Sequence, residues 1–80
     1  MSITENEIRQ LGPQPIIDVM AEHNLNGHDL VEASTEQITH KMVARACKGR
    51  KLSPKVKQKI TNAVNNATGE VFTIRDLFNY

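Results

Sequence analysis

The sequence predicts an all-α fold, a compact bundle of four to five helices. Apolar side chains recur at spacings of three and four residues, which is the periodicity of an amphipathic helix. Capping residues, prolines and glycines stand at the ends of these apolar stretches. No convincing run of alternating apolar and polar residues predicts a strand; residues 70–73 are the only extended candidate. With 80 residues and no repeat or Gly/Ser linker, we expect one domain, residues 1–80.

The first forty residues predict two helices behind a less regular N-terminal stretch. Residues 1–12 carry a Thr4–Glu7 capping box before Gly12 and Pro13, so a short or frayed helix is expected there. A helix from about residue 14 to 24 should turn an apolar stripe inward, made of Ile16, Ile17, Val19 and Met20. A second helix is expected to start near residues 27–29 and to stop around residues 34–35.

The third helix has two predicted starts. Ser34 and Gln37 form a capping-box pair that would begin it at once, whereas Thr39 would cap it later. Positions four apart differ by about 40° around a helix, so one face is expected to point inward. That face holds Ile38, Met42, Val43 and Ala46. Gly49 is predicted to end the helix because glycine adopts positive φ without a Cβ penalty.

The second half of the chain predicts two further helices. Ser53 reads as an N-cap and Pro54 as the first residue of a helix that runs to about Thr68 and ends at Gly69. Its inward positions are Val56, Ile60, Ala63, Val64 and Ala67. A capping pair, Thr73 and Asp76, predicts a short fifth helix that holds Ile74, Leu77 and Phe78.

Charge is distributed very unevenly along the chain. The formal net charge is only +1, yet residues 41–59 contain eight of the ten basic residues and none of the nine acidic ones. Such polarity can orient a small protein toward a polyanion, although a basic run is also compatible with a merely solvated face. This run spans the end of the third helix and the capped start of the fourth. A short helix, a connection and a second helix precede and enter it, as in a helix-turn-helix.

A family resemblance rests on Leu30, Ile38, Val43, Ala46 and the run KGRKLSP at residues 48–54. From residue 30 to 64 the chain resembles the lambda-repressor-like (Xre/Cro-type) helix-turn-helix DNA-binding domains. Its C-terminal pattern resembles small phage-type repressor-like proteins. It departs from the family at His28 and Asp29, where a glutamine is common, and at Gln37, where glycine is common. The stretch from Leu30 to Ile38 is also about two residues longer than usual.

The resemblance implies that the third helix reads base edges in the major groove of double-stranded DNA. The base-reading candidates are Thr39, His40, Lys41, Ala44 and Arg45, with Gln37 included if the helix starts early. For Gln37 and Thr39 a capping role is the alternative; for Thr39 an inward position is another. The phosphate-binding candidates are Lys48, Arg50, Lys51, Ser53 and Lys55. Lys57 and Lys59 are predicted to be solvated.

Other functional classes receive less support. The spacings of His23, His28, His40 and Cys47 match no compact zinc ligand set, so we predict no metal site. Cys47 is expected to pack as a small buried residue; with no second cysteine, a redox-sensing thiol is the weaker reading. No phosphate-binding loop or nucleophile motif predicts an enzyme or a cofactor. The single cysteine and the lack of a signal-like or membrane-length apolar run predict a cytoplasmic protein.

The sequence therefore predicts a small cytoplasmic transcriptional regulator or repressor-like protein that binds double-stranded DNA. The alternative is a protein-interaction module whose basic face binds an acidic protein partner. The C-terminal apolar residues have two interpretations. They close the core over the first helix, or they form a self-complementary homodimer patch through Phe72, Leu77, Phe78 and Tyr80.

Overall fold

The computed structural model describes residues 14–80, and they form an all-α bundle of five helices. The helices are α1 (Pro15–Glu22), α2 (Gly27–Ala33), α3 (His40–Cys47), α4 (Pro54–Thr68) and α5 (Ile74–Leu77). None of residues 14–80 lies in a β-strand, so the extended candidate at residues 70–73 does not form one. The predicted all-α bundle is confirmed. The short or frayed helix expected at residues 1–12 lies outside the described residues.

The longest helix of the bundle is α4. It packs against α2 and α5, while α1 packs against α5 and α3, and α2 packs against α3. Ile60, Ala63 and Val64 of α4 are fully buried, as their spacing predicts, and Val56 and Ala67 are half-buried. The remaining core side chains are Ile16, Met20, Leu30, Ile38, Val43, Ala46, Leu52, Leu77 and Phe78. Within residues 14–80, no helix has both the length and the apolar character needed to cross a bilayer.

The start of α3 corrects one of the two sequence predictions. Ser34 does not cap a helix with Gln37; its hydroxyl accepts from the Glu36 N–H (3.1 Å) and donates to the Glu36 carbonyl oxygen (2.6 Å). This local turn uses the hydroxyl that a helix cap would have needed. Thr39 is the cap instead, because its hydroxyl accepts from the Met42 N–H at 3.1 Å. Gln37 therefore lies outside the helix.

The end of α3 and both ends of α4 follow the sequence predictions. Gly49 has a φ of 75°, its N–H donates to the Ala46 carbonyl, and the Arg50 N–H donates to the Arg45 carbonyl. These two bonds form a Schellman motif, which turns the chain sharply away from the helix axis. Ser53 caps α4 by accepting from the Val56 N–H at 3.3 Å, and Pro54 is its first residue. The helix ends at Gly69, where φ is 77°.

The C-terminal apolar residues close the core over α1. Leu77 and Phe78 are buried, and Phe72, Ile74 and Tyr80 are half-buried against the core. Only Val71 is largely exposed, at 90%. A homodimer through Phe72, Leu77, Phe78 and Tyr80 stays a prediction. Leu77 and Phe78 are almost fully buried within one copy of the chain, so they could contribute little area to such an interface.

The short helix α5 begins at a charged cap. The Asp76 carboxylate accepts from the N–H of Thr73 (2.8 Å) and from its hydroxyl (3.0 Å), so the threonine hydroxyl donates rather than accepts. The bond from the backbone of Thr73, and then the bond from its hydroxyl, lower the pKa of Asp76. A lowered folded-state pKa means that the charged carboxylate stabilises the fold above pH 3.8. This contribution is lost as the pH falls through the folded-state pKa.

Asp76→Asn is therefore expected to lower the melting temperature at neutral pH and to have less effect at about pH 2. The amide keeps the shape and one acceptor oxygen but removes the charge that Thr73 stabilises. Thermal unfolding of both proteins across the acidic range measures this difference. A melting-temperature difference that stays constant down to about pH 2 would contradict the role of the charge.

Candidate nucleic-acid interface

The outer face of α3 is free of contacts with the core. Val43 and Ala46 are buried, which fixes the rotation of the helix about its axis. The opposite face holds His40, Lys41, Ala44 and Arg45, all of which are exposed. Lys48, directly after the helix, is also exposed, and its spacing from Lys41 and Arg45 places these three cations along one stripe. The structure thus presents the predicted base-reading helix to solvent.

The connection between α2 and α3, residues 34–39, is long, but it is fixed by contacts with the core and with α4. Ile38 is buried in the core, and the Glu36 carboxylate accepts from the Asn62 side chain of α4 at 2.9 Å. The Asn66 side chain donates to the Ala33 carbonyl at the end of α2 at 3.2 Å. These contacts with α4 fix the orientation of α3 relative to α2 despite the extra residues in the connection.

A groove lies where the end of α3 meets the start of α4, and we call it the basic groove. Its volume is about 390 Å³, and it is lined by Arg45, Arg50, Lys51, Leu52, Ser53 and Pro54. The Schellman turn at Gly49 folds Arg50 and Lys51 back toward Arg45, so three cations surround one space. The start of α4 adds the positive end of a helix dipole at Ser53 and Pro54. The positive charge around this space favours an anion over a cation or an apolar ligand.

Apart from Lys57, which is buried, the cations of residues 41–59 are not neutralised by other residues within 14–80. Among residues 14–80, no lysine or arginine forms an ion pair; His28 and Glu32 approach to 3.1 Å, a contact that is an ion pair only when the histidine is protonated. Within the part of the chain that the structure describes, no acidic side chain lines the basic groove. Unpaired cations keep their full attraction for a polyanion, so they are available to an external ligand.

Two predicted base-reading residues, Thr39 and His40, make contacts within the protein, and a third, Gln37, lies outside α3. Thr39 is exposed, but its hydroxyl caps α3, which confirms the capping alternative for this residue. The His40 ring stacks on the His28 ring of α2, with centroids 5.6 Å apart and planes 15° apart. Gln37 is exposed in the connection before the helix. The structure therefore places His40, Lys41, Ala44 and Arg45 on the helix and Gln37 beside it.

The predicted phosphate-binding residues lie around the basic groove. Arg50, Lys51 and Ser53 line it directly. Lys48 and Lys55 do not line it, but they are exposed and lie close in sequence to the residues that do. Arg50 is half-buried, and the other four are exposed. Lys59, predicted to be solvated, is half-buried one helical turn after Lys55.

Lys57 corrects the sequence prediction, because it is buried rather than solvated, with 9% exposure. Its ammonium nitrogen donates to the main-chain oxygen of Tyr80 at 2.9 Å and lies 4.1 Å from the centroid of the Tyr80 ring. A hydrogen bond and a cation–π contact compensate for the lost hydration. The sequence signal was available: Lys57 stands three and seven residues before Ile60 and Val64, on the buried stripe of α4.

Tyr80 has a role that the sequence did not predict, because it was expected only in the core or in a homodimer patch. Its hydroxyl accepts from the Leu52 N–H at 2.9 Å and donates to the Arg50 carbonyl at 3.2 Å. Burial raises the pKa of the Tyr80 phenol, and the bond from Leu52 opposes this shift. The phenol is therefore neutral at physiological pH and can act as donor and acceptor at once. It lies directly behind the basic groove.

The remaining thiol and histidines do not form a second site. Cys47 is half-buried, and its thiol lies 3.7 Å from the sulfur of Met20. Burial raises the pKa of the Cys47 thiol, so little reactive thiolate is present at neutral pH. In the part of the chain that the structure describes, no group of three or more His, Cys, Asp or Glu side chains is placed to hold a metal ion.

Comparisons of the chain with protein-family models, with curated proteins and with solved structures give no match.

Proposed function

We propose that the chain is a sequence-specific double-stranded DNA-binding protein, a small transcriptional regulator or repressor-like protein. In this proposal α2 and α3 act as a helix-turn-helix, and α3 enters the major groove. The observation that carries it is the position of Arg45. This residue lies on the exposed face of α3 and also lines the basic groove, so the two parts form one continuous surface.

The dimensions of α3 suit a major groove. An α-helix with its side chains is about 10 to 12 Å in diameter, and the major groove of B-DNA is about 12 Å wide, so the eight-residue α3 can lie in it. The connection before α3 is longer than the usual turn of about three to four residues. Its contacts with α4 nevertheless hold α3 in one orientation, which insertion into a groove requires.

In this proposal the face of α3 and the basic groove have different roles. Lys41 and Arg45 carry donors for guanine edges, and Ala44 offers a methyl group for a thymine methyl. The basic groove and its flanks supply the cations that would contact phosphates, and phosphate contacts set the position on the duplex without reading sequence. The five phosphate-binding candidates are these four cations, Lys48, Arg50, Lys51 and Lys55, together with the uncharged Ser53 at the start of α4.

Titration with labelled random duplex at several salt concentrations tests the proposal. If about five phosphates are contacted, log Kd should change with log salt with a slope of about 4 to 5, because each contact releases condensed counterions. Binding at low salt that weakens along this slope supports DNA binding through the basic surface. No binding even at low salt would favour the alternative, a protein-interaction module with an acidic partner.

A further inference from the structure

The Tyr80 side chain forms two hydrogen bonds with the main chain of the loop between α3 and α4. The Tyr80 hydroxyl bonds to the Arg50 carbonyl and to the Leu52 N–H, which are the main-chain groups on either side of Lys51. Fixing both neighbours fixes the direction in which Lys51 leaves the backbone. Residues 51–53 belong to neither helix, so the hydroxyl supplies bonds that regular structure supplies elsewhere.

Tyr80 is itself anchored to the core and to α4. Its ring makes an edge contact with the buried Phe78, with centroids 5.9 Å apart. Lys57 holds it from the α4 side, through the ring and through the main-chain oxygen. Leu52, whose N–H donates to the Tyr80 hydroxyl, is buried in the core at 7% exposure. The bridge therefore connects the loop to the buried core and to α4.

We propose that Tyr80 is a positioning residue of the basic groove, which orients Arg50 and Lys51 toward a phosphate through its hydroxyl. The inference rests on the proposed DNA binding. Tyr80 itself lies behind the loop and does not need to touch the nucleic acid. Loss of the hydroxyl should therefore weaken the phosphate contacts and leave the base preference of α3 unchanged.

The chain offers a closely matched pair of variants. Tyr80→Phe removes the hydroxyl and keeps the ring that Lys57 and Phe78 contact. Thr68→Val removes a hydroxyl that makes the same kind of bridge, donating to the Val64 carbonyl (2.8 Å) and accepting from the Glu70 N–H (3.1 Å). Thr68 lies at the opposite end of α4, about 20 Å along the helix from the basic groove.

Amide hydrogen exchange first shows whether the bridge exists in solution. Tyr80→Phe should raise the exchange rate of the Leu52 amide by at least about tenfold relative to the amides of α4, because that amide loses its acceptor. Unchanged exchange in the middle of α4 shows that the fold is retained. Thr68→Val should leave the Leu52 amide unaffected.

Duplex binding by the same three proteins then tests the positioning role. Tyr80→Phe should weaken all duplexes by about threefold to tenfold and make the salt dependence shallower, while Thr68→Val matches the wild type. If the wild type binds and Tyr80→Phe binds equally well with the same salt slope, the positioning role is overturned and the proposed function stands. If the wild type binds no duplex at low salt, the proposed function itself fails.

Discussion

Arg45→Ala is expected to remove about 1 to 3 kcal/mol of the preference for the best duplex over a random one, as loss of a base contact does. Lys51→Ala is expected to weaken all duplexes alike and to reduce the salt slope by about 1. The difference follows from position. Both residues line the basic groove, but Arg45 lies on the exposed face of α3, whereas Lys51 lies in the loop after the helix.

The measurement begins with a selection from random oligonucleotides, which identifies the preferred duplex. Each variant is then titrated with this duplex and with an unrelated one at several salt concentrations. Arg45→Ala should bring the two affinities together, while Lys51→Ala should shift both by the same factor. Equal, sequence-independent losses from both variants would show that Arg45 contacts a phosphate as well, and the assigned division of tasks would be wrong.

A control separates local contacts from net charge. Val71→Glu lowers the net charge by one unit, as Lys51→Ala does. Val71 is 90% exposed and lies just after the C-terminal end of α4, whereas the basic groove lies at the N-terminal end of this helix. At physiological salt the Debye length is about 8 Å, so a charge about 20 Å away is largely screened. Its affinity for both duplexes should stay close to that of the wild type.

The helix ends were predictable because they depend on bonds within a few residues. Ser53 and Pro54 start α4, and Gly49 and Gly69 end helices at positive φ, all as their local chemistry dictates. The Asn26–Asp29 capping box at α2 follows the same local rule; each residue accepts a backbone N–H of the other at 2.9 Å. The sequence analysis predicted that this helix starts near residues 27–29 and named no cap for it, although the spacing of Asn26 and Asp29 indicates the capping box.

The start of α3 could not be decided from local signals, because two competing caps precede it. Burial of Ile38 and the bond between Glu36 and Asn62 hold the connection in a non-helical path, and Asn62 is 26 residues away. Tertiary contacts therefore selected Thr39 over Ser34. The exposed cations of α3 followed from helical geometry alone, since the apolar positions determine which face is left outside.

The support behind the basic groove was harder to foresee. Lys57 lies on the buried stripe of α4, so its spacing indicated burial, but nothing nearby in sequence supplies a partner for its charge. The partner, Tyr80, is 23 residues away and reaches both Lys57 and the loop at Leu52. Contacts between distant segments of this kind depend on the packing of α4 against α5, which no local pattern specifies.

Phe78→Ala is expected to have the largest effect on stability, a loss of about 3 to 5 kcal/mol. Phe78 is 1% exposed and packs in the core next to Tyr80, so truncation removes apolar contacts and leaves a cavity. A domain of this length is stable by about 4 to 12 kcal/mol, so the variant should be close to unfolding. Urea denaturation measures the change as a lower midpoint, with Phe78→Leu as the milder substitution.

The control is Val71→Ala, which shortens the one largely exposed apolar side chain of the C-terminal segment and should change stability by less than about 0.5 kcal/mol.

The dependence of the unfolding midpoint on protein concentration adds a second comparison. If Phe78 serves the core of the monomer, the wild-type unfolding midpoint is independent of concentration. If the C-terminal residues instead stabilise a dimer, the midpoint rises with concentration, because association stabilises the folded state by mass action. A concentration-dependent midpoint together with a small loss from Phe78→Ala would contradict the core role of this segment.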